Sequence, residues 1–461
     1  MANSSKSARQ KLYCREETVG ADRISDLPDC LLIHILSLLG TKQAIQTSRL
    51  SSRWKLLWTY VPKLNLDIDS FPKFECDKDG SIINFECYVS QVLAKHKAKY
   101  LRNFRLKYRL SHQKRLDRWI STFTTSALNL QELDLQIINC PTPIPTDCCW
   151  KLPHSIFYCN KLVVLKIGGH IVLDPSSSSS FQLNTLKILR LESITFANRD
   201  SFVTLLSFCP VLEDLTLIID DYKEFKFKIC VPTLKRLSVS YLNNKLKIDT
   251  PSLEYFDFEV MSSLFIFCSN HCYKLLYMLL WLKSLFLQRR RGYGSICPTR
   301  FQNLVCLVFK YNGHNLSVLE ALLLRAPNLR VVLVDKVSLV NQRIFFFIYF
   351  SLNLNFLSVV MKYHNHVSCH HQIAKGRTQK LYWTEPPNDP NSLLSHLTTF
   401  YFRGYKGLKH EADFVKFILK EARVLKAMRI EVHHHSKLKK SVFEELSIFP
   451  RRSSTCLLSV K

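Results

Sequence analysis

Short apolar runs recur along most of the chain on one template, L-x-x-L-x-L, with other apolar residues allowed at the marked positions. Copies start at Leu101 (LRNFRL), Leu130 (LQELDL), Leu162 (LVVLKI), Leu186 (LKILRL), Leu212 (LEDLTL) and Leu234 (LKRLSV). They continue at Leu253 (LEYFDF), Leu282 (LKSLFL), Leu304 (LVCLVF) and Leu329 (LRVVLV), with weaker copies at Leu354 (LNFLSV) and Leu397 (LTTFYF). Alternate side chains of a strand point to opposite faces. The last two apolar positions of each copy therefore predict a strand with one face in a core, and the residue between them faces outward. One such strand cannot bury its apolar face alone, so neighbouring copies must stack. Pro210, Pro232, Pro251 and Pro327 stand two residues ahead of a copy. Proline there predicts a strand start, where no ladder donor is needed.

Most copies recur near the 20–29-residue period of leucine-rich repeats. The Asn or Cys usual at the ninth position is nearly missing, with only Asn312 in place. An irregular arc is expected rather than a regular horseshoe. Ahead of the repeats, Asp22 to about Pro62 changes period and predicts three short helices. Pro28 suits a first helical turn with Asp26 before it as a cap, and Gly40 suits a helix end. Leu31, Leu32, Ile35, Leu36, Leu38 and Leu39 cover an arc of about 160°, wider than the ~100° stripe of an ordinary surface helix. Leu50, Trp54, Leu57 and Trp58 follow at helical spacing. A block this small needs outside support. Its spare apolar surface must meet either the repeats, as a cap, or another protein.

Composition narrows the function classes. The chain has 461 residues, 47% of them hydrophobic, and only 11 glycines. It contains no GxGxxG, GxxxxGK[ST], HExxH or GxSxG, which removes the usual routes to nucleotide binding, zinc proteolysis and serine hydrolysis. The charge is +27, and ten basic residues against one acid lie between Lys95 and Arg118. That favours acidic partners, but a solvated face accounts for the cluster. Residues 1–20 are polar and read as a disordered tail without an apolar leader. The sixteen cysteines show no framework spacing, so free thiols in the cytoplasm or nucleus are expected. Residues 141–147 and 174–180 read as loops. Ile344–Met361 carries no charge over 18 residues, the length of a membrane span. Its Asn353 and Asn355 favour buried strand material instead. The group His364, His366, Cys369, His370 and His371, and the group Cys268, His271 and Cys272, lack the paired spacing of a closed zinc site. His433–His435 reads as an exposed turn. No metal and no cofactor are expected, and no cysteine stands in the context of a catalytic nucleophile.

Two resemblances organise these observations. Leu27-Pro28-Asp29, the Leu-rich helix to Leu39, Ala44-Ile45-Gln46-Thr47-Ser48 and Leu50-Ser51-Ser52-Arg53-Trp54-Lys55-Leu56-Leu57-Trp58 closely resemble the F-box. Trp383-Thr384-Glu385-Pro386, Leu393 to Phe400, Arg403-Gly404-Tyr405-Lys406-Gly407 and Arg451 to Cys456 resemble the FBD domain, which follows leucine-rich repeats in plant F-box proteins. The resemblance implies an α/β chain of a disordered tail (1–20), an F-box (21–62), repeats (63–380, atypical over 338–380) and an α+β FBD region (381–461); the F-box and the repeats are expected to have separate cores. It implies docking onto the small acidic adaptor of an SCF-type cullin ubiquitin ligase. Leu27, Pro28, Leu31, Ile35 and Leu36 would contact the adaptor, and Arg53, Trp54 and Trp58 would complete that site. A target protein would lie on outward residues of the strands, for which the template picks Arg105, Asp134, Lys166, Arg190, Asp214, Arg236 and Tyr255. The alternative reading is a basic, nucleic-acid-binding repeat protein; no membrane partner is expected.

Overall fold

A computed structural model of the protein describes residues 24, 26–71, 78–97, 101–110, 112–126, 129–138, 150–169, 171–175, 183–198, 200–219, 227–241, 246–260, 300–311, 316–336, 394–432 and 436–461. The tail, Ile344–Met361, both His/Cys groups, His433–His435, Asn312 and the copies at Leu282 and Leu354 lie outside them. Among the described residues no helix is long and apolar enough to cross a membrane. None of their His, Cys, Asp and Glu side chains gather in threes to hold a metal.

Helices in chain order are α1 (Asp29–Leu38), α2 (Thr41–Gln46), α3 (Trp54–Leu57), α4 (Lys78–Lys95), α5 (Gln113–Ser126), α6 (Ser201–Ser207), α7 (Ser317–Leu323), α8 (Lys409–Glu421) and α9 (Ser436–Ser447). Strands begin with β1 (Lys63–Asp67), β2 (Asn103–Arg109), β3 (Glu132–Ile138), β4 (Trp150–Lys151), β5 (Val164–Gly169) and β6 (Ile171–Leu173). They continue with β7 (Ile188–Glu192), β8 (Thr195–Phe196), β9 (Asp214–Ile219), β10 (Phe227–Cys230), β11 (Arg236–Tyr241) and β12 (Leu246–Asp249). The last six are β13 (Tyr255–Val260), β14 (Cys306–Tyr311), β15 (Val331–Lys336), β16 (Thr399–Tyr405), β17 (Ala427–Val432) and β18 (Leu457–Val460).

Each described template copy becomes a strand that begins two residues after its first leucine. These ten strands, joined by β1, β17 and β18, build one 13-stranded sheet in the order β1-β2-β3-β5-β7-β9-β11-β13-β14-β15-β16-β17-β18, parallel throughout. The template's apolar pair faces inward, as Leu133, Leu135 and Ile137 do on β3. Helices cover that side: Trp119 of α5 meets Tyr108 edge-on at 5.3 Å, and Phe414 of α8 meets Phe400 at 5.9 Å. Strands β13 and β14 pair directly across the segment that holds the Leu282 copy. Strands β15 and β16 do so across 337–398.

The prolines stand elsewhere than the sequence suggests. Leu212, Leu234, Leu253 and Leu329 each donate a backbone bond to the residue three before them. That closes a β-turn with the proline at its second position, where its fixed φ is favoured. The proline thus sits four residues ahead of the strand and turns the chain into it. Turns at this position, with or without the proline, carry side-chain bonds to the neighbouring repeat. Thr185 Oγ1 donates to Leu162 O at 2.8 Å, Thr233 Oγ1 to Leu212 O at 2.8 Å, and Asn328 Nδ2 to Gln302 O at 2.7 Å. Ser453 Oγ donates to Leu425 O at 2.7 Å in the Arg451–Cys456 motif.

The helical module and the repeats do not have separate cores. Buried residues from Leu32 and Trp54 through Leu64 to Cys456 form one continuous cluster. The joint is hydrogen bonded as well. Thr41 Oγ1 of α2 accepts from Asn65 N of β1 at 2.7 Å, and Thr59 O accepts from Lys97 N at 2.8 Å. His96 at the end of α4 meets Val61 O at 2.8 Å; burial holds its imidazole below the usual range. The physical reason is the open edge of β1, which a solenoid must cover. The last three strands likewise extend the repeat sheet rather than starting a new one.

Gly169 closes β5 at φ +96°, and a Cβ there would lie 1.8 Å from Ile137 O of β3. Gly169→Ala is expected to cost about 1–3 kcal/mol from backbone strain alone, with the clash adding to it. A lowered urea midpoint checks this.

Candidate docking surfaces

The first surface is on α1. Leu31 (47% exposed), Ile35 (38%) and Leu38 (75%) are accessible, and their i, i+4, i+7 spacing sets them in one stripe. Leu32 and Leu36 point the other way, into the core. Ile24, Leu39, Leu50 and Leu56 add further exposed apolar surface to the module. The wide apolar arc thus splits into a face that packs inside the module, against α3 and the turn that follows it, and a face that nothing described covers.

The expected site residues divide accordingly. Leu31, Ile35 and Pro28 are exposed, and Leu27 is half-buried against the core. Leu36 is a correction: at 1% exposure its side chain is spent inside the module. Trp54 and Trp58 are buried as well and hold α3 in place. Arg53 is engaged within the module. Its Nη2 reaches Leu27 O at 2.6 Å and Asp29 Oδ1 at 2.7 Å, and its Nε reaches Asp29 Oδ1 at 2.9 Å. The guanidinium therefore fixes the start of α1, whose N-cap is Pro28 without any side-chain cap bond. Asp26 does not serve as the cap. Gly40 precedes α2 at φ −65° rather than closing α1 in a left-handed turn, and its N–H donates to Gln43 Oε1 at 3.2 Å.

Sequence periodicity misplaced Leu50, which it set on one helix with Trp54. A turn of 3-10 helix ends at Arg49, and α3 begins only at Trp54. Leu50 is left exposed. The Ser51-Ser52 pair between them was the available signal.

The second surface is the open face of the sheet. Register places Arg105, Asp134, Lys166 and Arg190 in one row across β2, β3, β5 and β7. Asp214, Arg236 and Tyr255 fall in the adjacent row across β9, β11 and β13. Their charges are largely matched. Arg105 pairs with Asp134 at 3.5 Å, Lys166 with Glu132 at 2.8 Å, and Arg236 with Asp214 at 2.8 Å. Arg190 pairs with Glu192.

Farther along, the same rows turn apolar. Tyr255, Cys306 and Val331 are register neighbours, as are Val308, Leu333 and Tyr401. Lys310–Asp257 at 2.8 Å and Arg403, 3.5 Å from Asp335 and 3.4 Å from Glu431, flank them. The run Val331-Val332-Leu333-Val334 is apolar on both faces, so only the template's phase from Leu329, and not alternation, marks Val331 and Leu333 as the outward pair.

The basic run from Lys95 to Arg118 disperses over α4, β2 and α5. Lys107 pairs with Asp69 at 2.6 Å, and Arg115 pairs with the fully buried Glu86 of α4. Tyr108 also donates to Glu86. The described cysteines are free thiols. Burial pushes the Cys159 thiol up to about 11 and that of Cys209 to about 12, away from nucleophilic use.

Comparisons agree with this architecture. The family model for the F-box domain matches residues 24–66. One described as "FBD-associated F-box protein At5g56370, LRR repeats" matches 116–266, and the FBD model matches 385–430. The FBD-associated F-box protein At5g38590 of Arabidopsis thaliana is 30% identical over 89% of this chain and 93% of its own. The FBD-associated F-box proteins At4g10400 and At5g56370 of the same plant are each 29% identical over 95% of this chain and 99% of theirs. An F-box with leucine-rich repeats supports, in general, a substrate-recognition role in an SCF-type complex. With three domain types in this order and relatives matched nearly end to end, the chain belongs to the FBD-associated F-box proteins with leucine-rich repeats.

Proposed function

We propose that the protein is a non-catalytic substrate receptor of an SCF-type cullin ubiquitin ligase. It docks the acidic adaptor, and through it the cullin, by the exposed stripe of α1. The observation that carries this reading is the Leu31–Ile35–Leu38 stripe, left bare on a helix whose other face, with Leu32 and Leu36, is already spent inside the module. An apolar patch maintained on such a small module marks an interaction site. Leu27, Pro28, Leu50 and Leu56 border the contact, and Arg53 positions it through Asp29. The open sheet face holds the target protein. Its half-buried apolar stretch around Val331, Leu333 and Tyr401 supplies the anchors, and the charged rows beside it supply register. Calorimetric titration of the full chain with a purified adaptor of this class tests the docking. Absence of binding by a folded chain would overturn it.

The nucleic-acid alternative gains nothing from the open face, where cations are matched by carboxylates. Transfer of ubiquitin is accelerated by proximity, so no thiol of this chain takes part. Each Cys-to-Ser variant of Cys30, Cys87 and Cys230 is expected to keep full transfer in a reconstituted ligase. Loss of transfer in one variant, with target binding intact, would reveal a thioester step.

A further inference from the structure

The two ends of the sheet are treated differently. The edge of β1 is covered by α2, with Thr41 bonding Asn65 N. At the other end β18 pairs with β17 alone among the described strands. Its inward residues Leu458 and Val460 are only partly buried, whereas their register neighbours Met428 and Ile430 are fully buried. Leu457 and, on and after α9, Phe443 and Ile448 are exposed nearby. We propose that this end pairs with the same end of a second copy of the chain, forming a two-fold dimer with one sheet running through both.

Backbone parity fixes the pairing. Leu457 N donates to Lys426 O, Lys461 N to Ile430 O, and Val432 N to Lys461 O. Residues of the odd set thus spend their amides on β17. The alternation of a parallel ladder turns the N–H and C=O of Leu458 and Val460 outward. In an antiparallel edge pair the two-fold must pass through a residue, or inward side chains would oppose outward ones. Placed on Ser459, it sets Leu458 opposite the partner's Val460 and Val460 opposite the partner's Leu458. Both are then hydrogen-bonded pairs, so the edge makes four backbone bonds and completes the inward row.

Helix α9 packs beside β18 and identifies the occupant by charge. On the face of Phe443, its exposed Lys439 and Lys440 lie toward the helix start and its exposed Glu444 toward the helix end, with the exposed Glu445 adding its charge to that same end from the opposite side. A helix with cations in one half and anions in the other is self-complementary only when antiparallel to itself, which the two-fold requires. The docking stripe of α1 remains open, because it lies at the far end of the sheet, on the order of 60 Å away at ~4.8 Å per strand.

Sedimentation of the full chain over a concentration series tests the proposal. A mass twice the single-chain 53.8 kDa is expected. Leu458→Pro removes one outward donor without touching the bonds to β17, and it should weaken association at least tenfold. Lys439→Glu/Lys440→Glu and Glu444→Lys/Glu445→Lys change exposed residues only. Each should be monomeric alone, and a 1:1 mixture of the two should recover the dimer. A wild-type chain that stays monomeric, a dimer indifferent to all three variants, or a mixture that fails to recover would each overturn the proposal.

Discussion

Leu31→Ala combined with Ile35→Ala is expected to abolish adaptor capture while leaving the fold intact. Both side chains are only partly buried in the free chain, so truncating the pair should cost about 1–2 kcal/mol of stability and leave the module folded. In a complex they would be interface anchors. Such an anchor is worth ~2–4 kcal/mol when truncated, about 30- to 1000-fold in affinity. Their neighbours one position on give the opposite result. Leu32 and Leu36 are 0% and 1% exposed, and Leu32→Ala or Leu36→Ala should cost about 2–5 kcal/mol of stability. Affinity is then lost only as far as the module unfolds. Calorimetry and urea melts on these three variants separate the two. Undiminished affinity in the folded Leu31→Ala/Ile35→Ala chain would falsify the docking assignment. Leu27→Ala with Pro28→Ala is a mixed case. Leu27 packs on the core and its carbonyl is held by Arg53, so stability and affinity should both fall.

The second large effect is expected where the FBD region joins the repeats. Lys336 ends β15, and its ammonium makes a buried ion pair with Glu411 of α8; their side chains are 7% and 0% exposed. Glu411 also accepts from Lys406 N at 2.9 Å and Leu408 N at 3.3 Å, which closes the turn before α8. Tyr311 lies beneath the ammonium, with its ring centroid 5.8 Å away, and desolvation raises its phenol above the usual range. Glu411→Ala strands a buried ammonium, and removing one partner of such a pair costs ~3–5 kcal/mol. Lys336→Met should cost less. The Glu411 carboxylate would keep two backbone donors and its place at a helix N-terminus. Combining Lys336→Met with Glu411→Gln should recover part of the loss, because the two sites share one interaction. Hydrogen exchange at β15 and β16 amides under urea reads each cost locally. A loss below about 1 kcal/mol for Glu411→Ala would show that water reaches the pair.

The repeat template was legible in the chain alone, because two inward positions per strand must be apolar wherever the strand falls in the sheet. Each described copy became a strand in the predicted phase. The F-box and FBD motifs were legible because they are specific strings rather than patterns. Local sequence also showed that α1 carries more apolar arc than one core needs. It could not say how the arc divides, since Leu31 and Leu32 are the same residue type and only packing separates them.

Tertiary structure decided what depends on a partner distant in sequence. Strand β1, whose template copy opens on Val61 (VPKLNL), was missed because it directly adjoins the helical block, and the cap of α2 on its edge follows from that strand. Lys336 and Glu411 are 75 positions apart, and nothing local foretells their pair. The basic run from Lys95 to Arg118 looked like one patch along the chain. The turns between α4, β2 and α5 scatter it, and carboxylates brought in by neighbouring strands match part of it. Charge density along a chain is a one-dimensional quantity, whereas the field a partner meets is set by which residues the sheet register places side by side.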